Sequence, residues 1–324
     1  MSERNQDRNR LLVKICQLYY EDGLNQQDIA KRLGISRPHV SRMLAAAKSS
    51  GIVRISINNP FSAEQELEKL IIDQFGIKDA LIIDSSSIHQ DQLAVELGRA
   101  SAPLLESIFR DGDVVGVMAG RTVASAAAEM DPFRREGLQF VPMVGGWGSD
   151  GDSWHANSNA MAFANKLKSK FSILHAPAVV VNEETGLLLK GEPEIAKVLE
   201  LAQNSRVAVV SIGNLSEQAT MVKTGTFRAE DIAELTQKGA VANLCASFLD
   251  RDGHELEMDT NWNNRLIGLT ASELRAIPTV IAIAGGDQKA DAIEAALKGQ
   301  WIDILVTDTA AARKIISSTY SEEC

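Results

Sequence analysis

From about residue 80 onward one pattern repeats: a short apolar run, a glycine or turn, then a helix-periodic stretch. Apolar runs fall at 80–83, 114–118, 140–144, 173–176, 207–212, 280–284 and 302–306, and helical spacing near 90–109, 122–130, 157–168, 193–203, 288–298 and 309–317. Runs without polar alternation have no face to give to water, so each strand must be covered on both sides. Helices between consecutive strands supply that cover and return the chain for parallel pairing. The pattern therefore predicts an α/β fold with a Rossmann-like, mostly parallel sheet. No run approaches the ~20 residues that span a bilayer, so no membrane partner is expected.

The first 58 residues read differently. Leu11, Leu12, Ile15, Leu18 and Tyr19 have helical spacing, and Gly23 supplies a stop. A second short helix fits 26–33 and a third 37–48, after which 51–57 alternates like a strand. Asn58-Asn59-Pro60 is turn chemistry and places a domain boundary, giving domains at 1–58 and 59–324. Just past it, Leu67, Leu70, Ile71 and Phe75 give one apolar face to a connecting helix.

Residues 26–44 meet the demands of two helices crossing at a tight turn. Ala30 is small where the helices touch, Gly34 permits a left-handed turn, and Val40 packs back from the second helix, with Ile29, Leu33, Ile35 and Met43 completing the core. Ser36 can cap the second helix, and Pro38 is tolerated in its first turn. The pattern predicts a helix-turn-helix with 51–57 as its wing. Ser36, Arg37, His39, Ser41 and Arg42 then face outward on the helix that enters a major groove, and Gln26 and Gln27 open the helix before it. A plain α-hairpin would leave the two arginines as solvated surface and would not account for the joint spacing.

Charge agrees with this division. The chain carries −10 overall, yet residues 1–58 hold ten Lys and Arg against five Asp and Glu, while the rest holds 23 against 38. A basic head on an acidic body is what results when only the head meets DNA phosphates. The N-terminus has no apolar stretch of the secretory kind. Cys16, Cys245 and Cys324 are too few and too far apart for a disulfide framework, so a cytoplasmic protein is expected. Five histidines are scattered, none spaced i+3 or i+4, and no nucleophile elbow or Walker A sequence occurs. Neither metal nor cofactor is expected.

Two strand exits in the body look alike: Met118-Ala119-Gly120-Arg121-Thr122 and Ala284-Gly285-Gly286-Asp287-Gln288-Lys289. Each puts glycine at the strand end and a cation in the first turn of the next helix. A cation there opposes the helix dipole unless an anion sits on the free N–H groups. Arg121 and Lys289 therefore point to a phosphate-type ligand. A third exit, Gly145-Gly146-Trp147-Gly148-Ser149-Asp150-Gly151, formally matches a dinucleotide fingerprint at 146–151. No helix opens at it, and no acid follows about 20 residues on, so a dinucleotide fold is rejected. The glycines instead read as allowing close approach of a ligand, with Trp147 or Trp154 able to stack on it and His155 able to bond a hydroxyl. Core packing serves equally for either tryptophan, and helix capping for His155. An enzyme would need a positioned base. Asp150, Asp152 and Asp287 are the candidates at these exits, and none has a visible partner.

Over essentially its whole length the chain resembles the SorC family of bacterial sugar-responsive transcriptional regulators. The likeness runs through Leu24-Asn25-Gln26-Gln27-Asp28-Ile29-Ala30, the Gly116–Thr122 block, Val141-Pro142-Met143-Val144-Gly145-Gly146, Ser211-Ile212-Gly213, Gly239-Ala240-Val241, Phe248-Leu249-Asp250-Arg251-Asp252-Gly253 and Arg265-Leu266-Ile267-Gly268-Leu269. Its most specific part is Ala284-Gly285-Gly286-Asp287-Gln288-Lys289-Ala290. The resemblance implies a body similar to ribose-phosphate isomerases and glucosamine-phosphate deaminases. It implies a phosphorylated sugar as effector, homo-oligomers that are commonly tetramers, and double-stranded operator DNA with dyad symmetry. By position it makes Gly120-Arg121-Thr122 a phosphate loop and Lys289 a phosphate-binding lysine. Gly145, Gly146, Trp147, His155, Asn157 and Asn243 fall around the effector. Two positions depart from the family: Ala242-Asn243 stand where some members carry an acid, and Met143-Val144 where some carry a lysine or arginine. A Schiff base to the sugar is therefore unsupported.

Overall fold

In the computed structural model the described residues are 3–50, 52, 53, 61–148, 154–216, 227, 229–257 and 262–322. The chain divides into two units, Met1–Pro60 and Phe61–Cys324. In the first, α1 (Glu3–Tyr20), α2 (Gln26–Leu33) and α3 (Arg37–Ser49) enclose a core of Leu12, Ile15, Cys16, Leu18, Ile29, Ala30, Val40, Met43, Leu44 and Ala47. Asn25 caps α2 by accepting the Gln27 and Asp28 N–H groups at 3.0 and 3.1 Å. Gly34 ends it in the left-handed region (φ 65°), and Ser36 caps α3 by accepting from the His39 N–H. Of the expected wing, only Ile52 and Val53 are described: Val53 donates its N–H to Ala47 and packs on the head core. The rest of the wing and the 58–60 turn lie outside the described residues.

The second unit holds β1 (Asp79–Ile83), β2 (Val114–Val117), β3 (Gln139–Pro142), β4 (Lys170–Phe171), β5 (Val207–Val210), β6 (Gly213–Asn214), β7 (Ala242–Leu244), β8 (Ser247–Leu249), β9 (Thr279–Ile283) and β10 (Ile304–Asp308). Its helices are α4 (Ser62–Phe75), α5 (Gln90–Ile108), α6 (Arg121–Glu129), α7 (Ala156–Leu167), α8 (Glu183–Gly191), α9 (Pro193–Gln203), α10 (Ala229–Gln237), α11 (Trp262–Arg265), α12 (Ala271–Arg275), α13 (Ala290–Lys298) and α14 (Thr309–Glu322). Seven strands form one sheet in the order β1-β10-β9-β5-β2-β3-β4, every pair parallel. Alternation along the strands divides the core. Val207, Val209, Ile281, Ile283 and Val306 face Leu97, Leu105, Ala126 and Phe163 on one side. Ala208, Val210, Val280, Ala282 and Leu305 face Ile195, Val198, Ile293 and Ile315 on the other. Burial on both faces explains why these strands read as unbroken apolar runs.

Two expectations about elements are corrected. No strand forms at 173–176; the edge strand is β4, two residues long and just upstream. Leu174 is instead held by Asn157, which accepts its N–H at 2.9 Å and donates to its carbonyl at 3.0 Å. On α4 the buried side runs through Leu67, Ile71, Ile72 and Phe75, while Leu70 is exposed. The small antiparallel sheet β6-β7-β8 was not expected.

Candidate nucleic-acid interface and anion pocket

The capped turn between α2 and α3 sets the head's outer surface. Ser36, Arg37, Ser41 and Arg42 are exposed along the first half of α3, His39 is half-buried, and at the start of α2 Gln27 is exposed and Gln26 half-buried. Among the described residues neither Arg37 nor Arg42 enters an ion pair. Two guanidinium groups without protein counter-ions on the N-terminal half of a second helix form a surface suited to phosphates and base edges.

In the body, strand order reverses between the neighbours β2 and β5. From β2 the chain moves out through β3 to β4; from β5 it moves the opposite way through β9 to β10. Such a reversal opens a crevice at the strand C-termini, where ligands of open α/β sheets bind. Three exits converge there. Gly120 has φ 153°, and a Cβ on it would lie 2.6 Å from that of Ser211 at the β5 exit. Thr122 donates its hydroxyl to the Ile283 carbonyl at 2.6 Å, tying the β2 exit to the β9 exit. Lys289 crosses from the β9 exit and donates to the Ile212 carbonyl at 2.9 Å.

Among the described residues the charges of this crevice are one-sided. Burial, and then the positive charge of Arg121, lower the Lys289 pKa to about 8. No carboxylate pairs with either cation among the described residues. Arg121 is the first residue of α6, a helix whose Gly120 cap supplies no side-chain acceptor for the first-turn N–H groups. A cation at an uncapped helix start, with a second cation beside it, is an arrangement suited to an anion.

The β9 exit differs from its expected form. Lys289 is not in a helix's first turn but closes a 3₁₀ turn, Asp287–Lys289, ahead of α13. The N–H groups of Gly286, Gln288 and Lys289 are taken by Asp308, by the Asp287 side chain and by the Gly286 carbonyl. This loop therefore brings a side-chain charge to the pocket, and the free backbone donors come from α6. Asn243 sits beside it: it pairs with Gly213 across β6 and β7 and donates to the Ser247 carbonyl at 3.2 Å.

At the β3 exit the glycines serve the fold. The Gly145 and Gly146 N–H groups bond the Ile267 and Ala176 carbonyls, both at 2.9 Å. A Cβ on Gly145 would lie 2.5 Å from the Ala176 and Pro177 oxygens. The close backbone approach expected of a ligand here is made by residues 176–178. Trp147 is buried in the main core, in keeping with the core-packing alternative of its reading. His155 is buried at the start of α7, where its Nδ1 accepts the Trp147 N–H at 3.3 Å and its ring stacks on Trp154 with centroids 4.4 Å apart. Both ends of the Asn157 amide hold Leu174. Asp150 and Asp152 lie outside the described residues, and Asp287 is an exposed turn carboxylate.

Three residues of the pocket's support went unread in the sequence. Asn159, wholly buried, donates to the Met118, Gly120 and Trp154 carbonyls, pinning the β2 exit. Ser211 packs on Gly120, and Asp308 holds the Gly286 loop. The contacts that matter for the pocket, to Met118, Gly120 and Gly286, join groups distant in sequence, which leave no local spacing signal. Asp250, Asp252 and His254 bring ligand atoms within 4.8 Å of one another, although Asp250 already accepts the N–H groups of the other two in a turn.

Known proteins match both units. A family described as "Putative sugar-binding domain" covers residues 59–317, and a homeodomain-like domain covers 5–54. The crystal structure of the full-length sorbitol operon regulator SorC of Klebsiella pneumoniae superposes with a TM-score of 0.74 at 27% identity, over 95% of this chain and 98% of that one. The chain belongs to the SorC family of transcriptional regulators. Transcriptional regulator LsrR of Enterobacter sp. (strain 638) is 30% identical over 95% of this chain and 93% of its own length. The deoxyribonucleoside regulator of Bacillus subtilis (strain 168) is 28% identical over 97% and 99%. As a SorC-family member, the chain is a sugar-responsive DNA-binding transcriptional regulator, with a helix-turn-helix head and an α/β sugar-binding body. Among the described residues no helix is long and apolar enough to cross a membrane.

Proposed function

We propose that the effector is a phosphorylated sugar whose phosphate sits between Arg121, Lys289 and the first turn of α6, and that its occupancy sets operator affinity. The observation that carries this reading is the Lys289 ammonium, held against the Ile212 carbonyl beside a second cation, with no carboxylate among the described residues to balance it. A charge in that setting is unfavourable until an anion arrives. Gly120, Thr122 and Ser211 shape the cradle, and Asn243 lies where the sugar extends from it. In the head, Arg37 and Arg42 read base edges or phosphates, flanked by Ser36, His39, Ser41, Gln26 and Gln27. The regulator works as a homo-oligomer, a tetramer by family likeness, on a dyad operator in the cytoplasm.

We read the pocket as binding without turnover. Asp287 is exposed and turned to its own loop, while Asp308 is fully buried behind the pocket. Thermal-shift titration with a panel of sugar phosphates and the matching free sugars tests the reading. A subset of the phosphates should raise the melting temperature, the free sugars should not, and Lys289→Ala should abolish the response. A free sugar that stabilises as well as its ester, or a full response in Lys289→Ala, overturns it.

A further inference from the structure

The loop that carries Lys289 has one buried ionic anchor. Asp308, at the C-terminal end of β10, is wholly buried, and its carboxylate collects three donors. Oδ1 accepts the Gly286 N–H at 2.6 Å; Oδ2 accepts the Ser85 hydroxyl at 2.7 Å and the Ala310 N–H at 3.1 Å. One side chain thus bolts together the exits of β9, β10 and β1, three adjacent strands. The fit is close: a Cβ on Gly285 would lie 2.5 Å from Oδ1, so that glycine makes room for the carboxylate. Gly286 itself is left-handed (φ 95°), and its carbonyl accepts the Lys289 N–H at 2.9 Å, closing the turn from which the lysine side chain departs. The orientation of the Gly286 peptide therefore decides where the Lys289 ammonium can reach.

We infer that Asp308 is the positioning residue of the effector pocket: through Gly286 it holds the 285–289 loop in the register that delivers Lys289 to the phosphate. This rests on the anion pocket proposed above. Asp308 touches no ligand; it acts only through the loop. An asparagine of the same shape keeps one acceptor oxygen and turns an NH2 group on the donors that faced the other, so at least one of the three bonds to residue 308 is lost and the rest are no longer charge-assisted.

The test uses full-length protein and inorganic phosphate as the probe, with Kd from calorimetry and folding from melting curves. Lys289→Ala should weaken phosphate binding at least tenfold. Asp308→Asn should weaken it about tenfold in the native background and less than twofold on top of Lys289→Ala, because the loop then has no ammonium to place. Ser85→Ala removes one donor and leaves the Asp308 carboxyl group in place; it should give a smaller loss, about threefold, and decides the matter if Asp308→Asn does not fold. Folded variants at Asp308 and Ser85 that bind phosphate as wild type does overturn the assignment alone. So does a loss from Asp308→Asn that is equally large without Lys289, since that is general loosening. Phosphate binding that is absent in wild type or unaltered in Lys289→Ala overturns the pocket reading itself, and this assignment with it.

Discussion

In the proposed pocket, Lys289 is the residue whose ionisation a bound anion would control. Its ammonium is enclosed and faces Arg121, which holds its pKa at about 8 against an ordinary 10.5. Between those values the unfolded chain binds a proton that the folded chain lacks, so the ligand-free protein should gain stability as pH rises from about 8 to about 10.5. The penalty is fully present below pH 8 and relieved above it. A phosphate in the pocket favours the charged ammonium, so binding should weaken above about pH 8 and draw in protons there. Calorimetry in two buffers of unequal ionisation enthalpy reads that uptake directly; affinity that is flat to pH 9.5 with no uptake contradicts the placement, and Lys289→Arg should flatten the profile. In the head, Arg37→Ala and Arg42→Ala should each weaken operator binding by ~1–3 kcal/mol while leaving phosphate affinity unchanged, and gel shifts at fixed salt measure this. The strand exits that carry Arg121 and Lys289 were legible in the sequence because an apolar run ends in glycine at each. Trp147 was not, since a tryptophan after two glycines looks the same in a core as against a sugar. Asn159 and Asp308 left no trace because both serve backbone groups that only the folded sheet brings near.

Elements were legible in proportion to their length and the regularity of their apolar pattern. The helix-turn-helix was readable from Ala30, Gly34, Ser36 and Val40 because each answers a geometric need within one short segment. The parallel strands were readable because burial on both faces removes polar residues from them. The strand expected at 173–176 failed for a related reason: Ile173, Leu174 and Ala176 are apolar without being paired, and Pro177 cannot donate to a ladder. The β6-β7-β8 sheet has strands of two or three residues, too short to carry a period. Gly145 connects these points, for the loop after β3 is closed by backbone meeting backbone. Gly145→Ala should push the 176–177 carbonyls away and destabilise the body by about 1–3 kcal/mol in denaturant melts. The head core lies in the other unit, so its recognition helix should stay intact. A Gly145→Ala protein as stable as wild type would mean that segment 174–178 yields freely, and that the glycine has some other role.

At the scale of the molecule, the question is why a −10 chain should bind DNA at all. The basic excess is confined to the first 58 residues, and the body repels phosphate at long range. One head presents one recognition helix, which in the proposed oligomer would span one half-site of a dyad operator. On that proposal tight binding would depend on the body joining at least two heads, so that the second engages at the effective concentration set by the first. A fragment of residues 1–60 has its own buried core and should fold, yet bind an operator selected by the full-length protein at least about 100-fold more weakly. Its affinity should also fall less steeply with salt, since it releases about half the counter-ions that two heads release together. Fluorescence anisotropy of both proteins across a salt series separates the terms. Effector should alter the full-length curve and leave the fragment's untouched, because the pocket and its cations lie in the body. Equal affinities with parallel salt slopes would mean that one head does all the reading; the body would then be a sensor with nothing to couple.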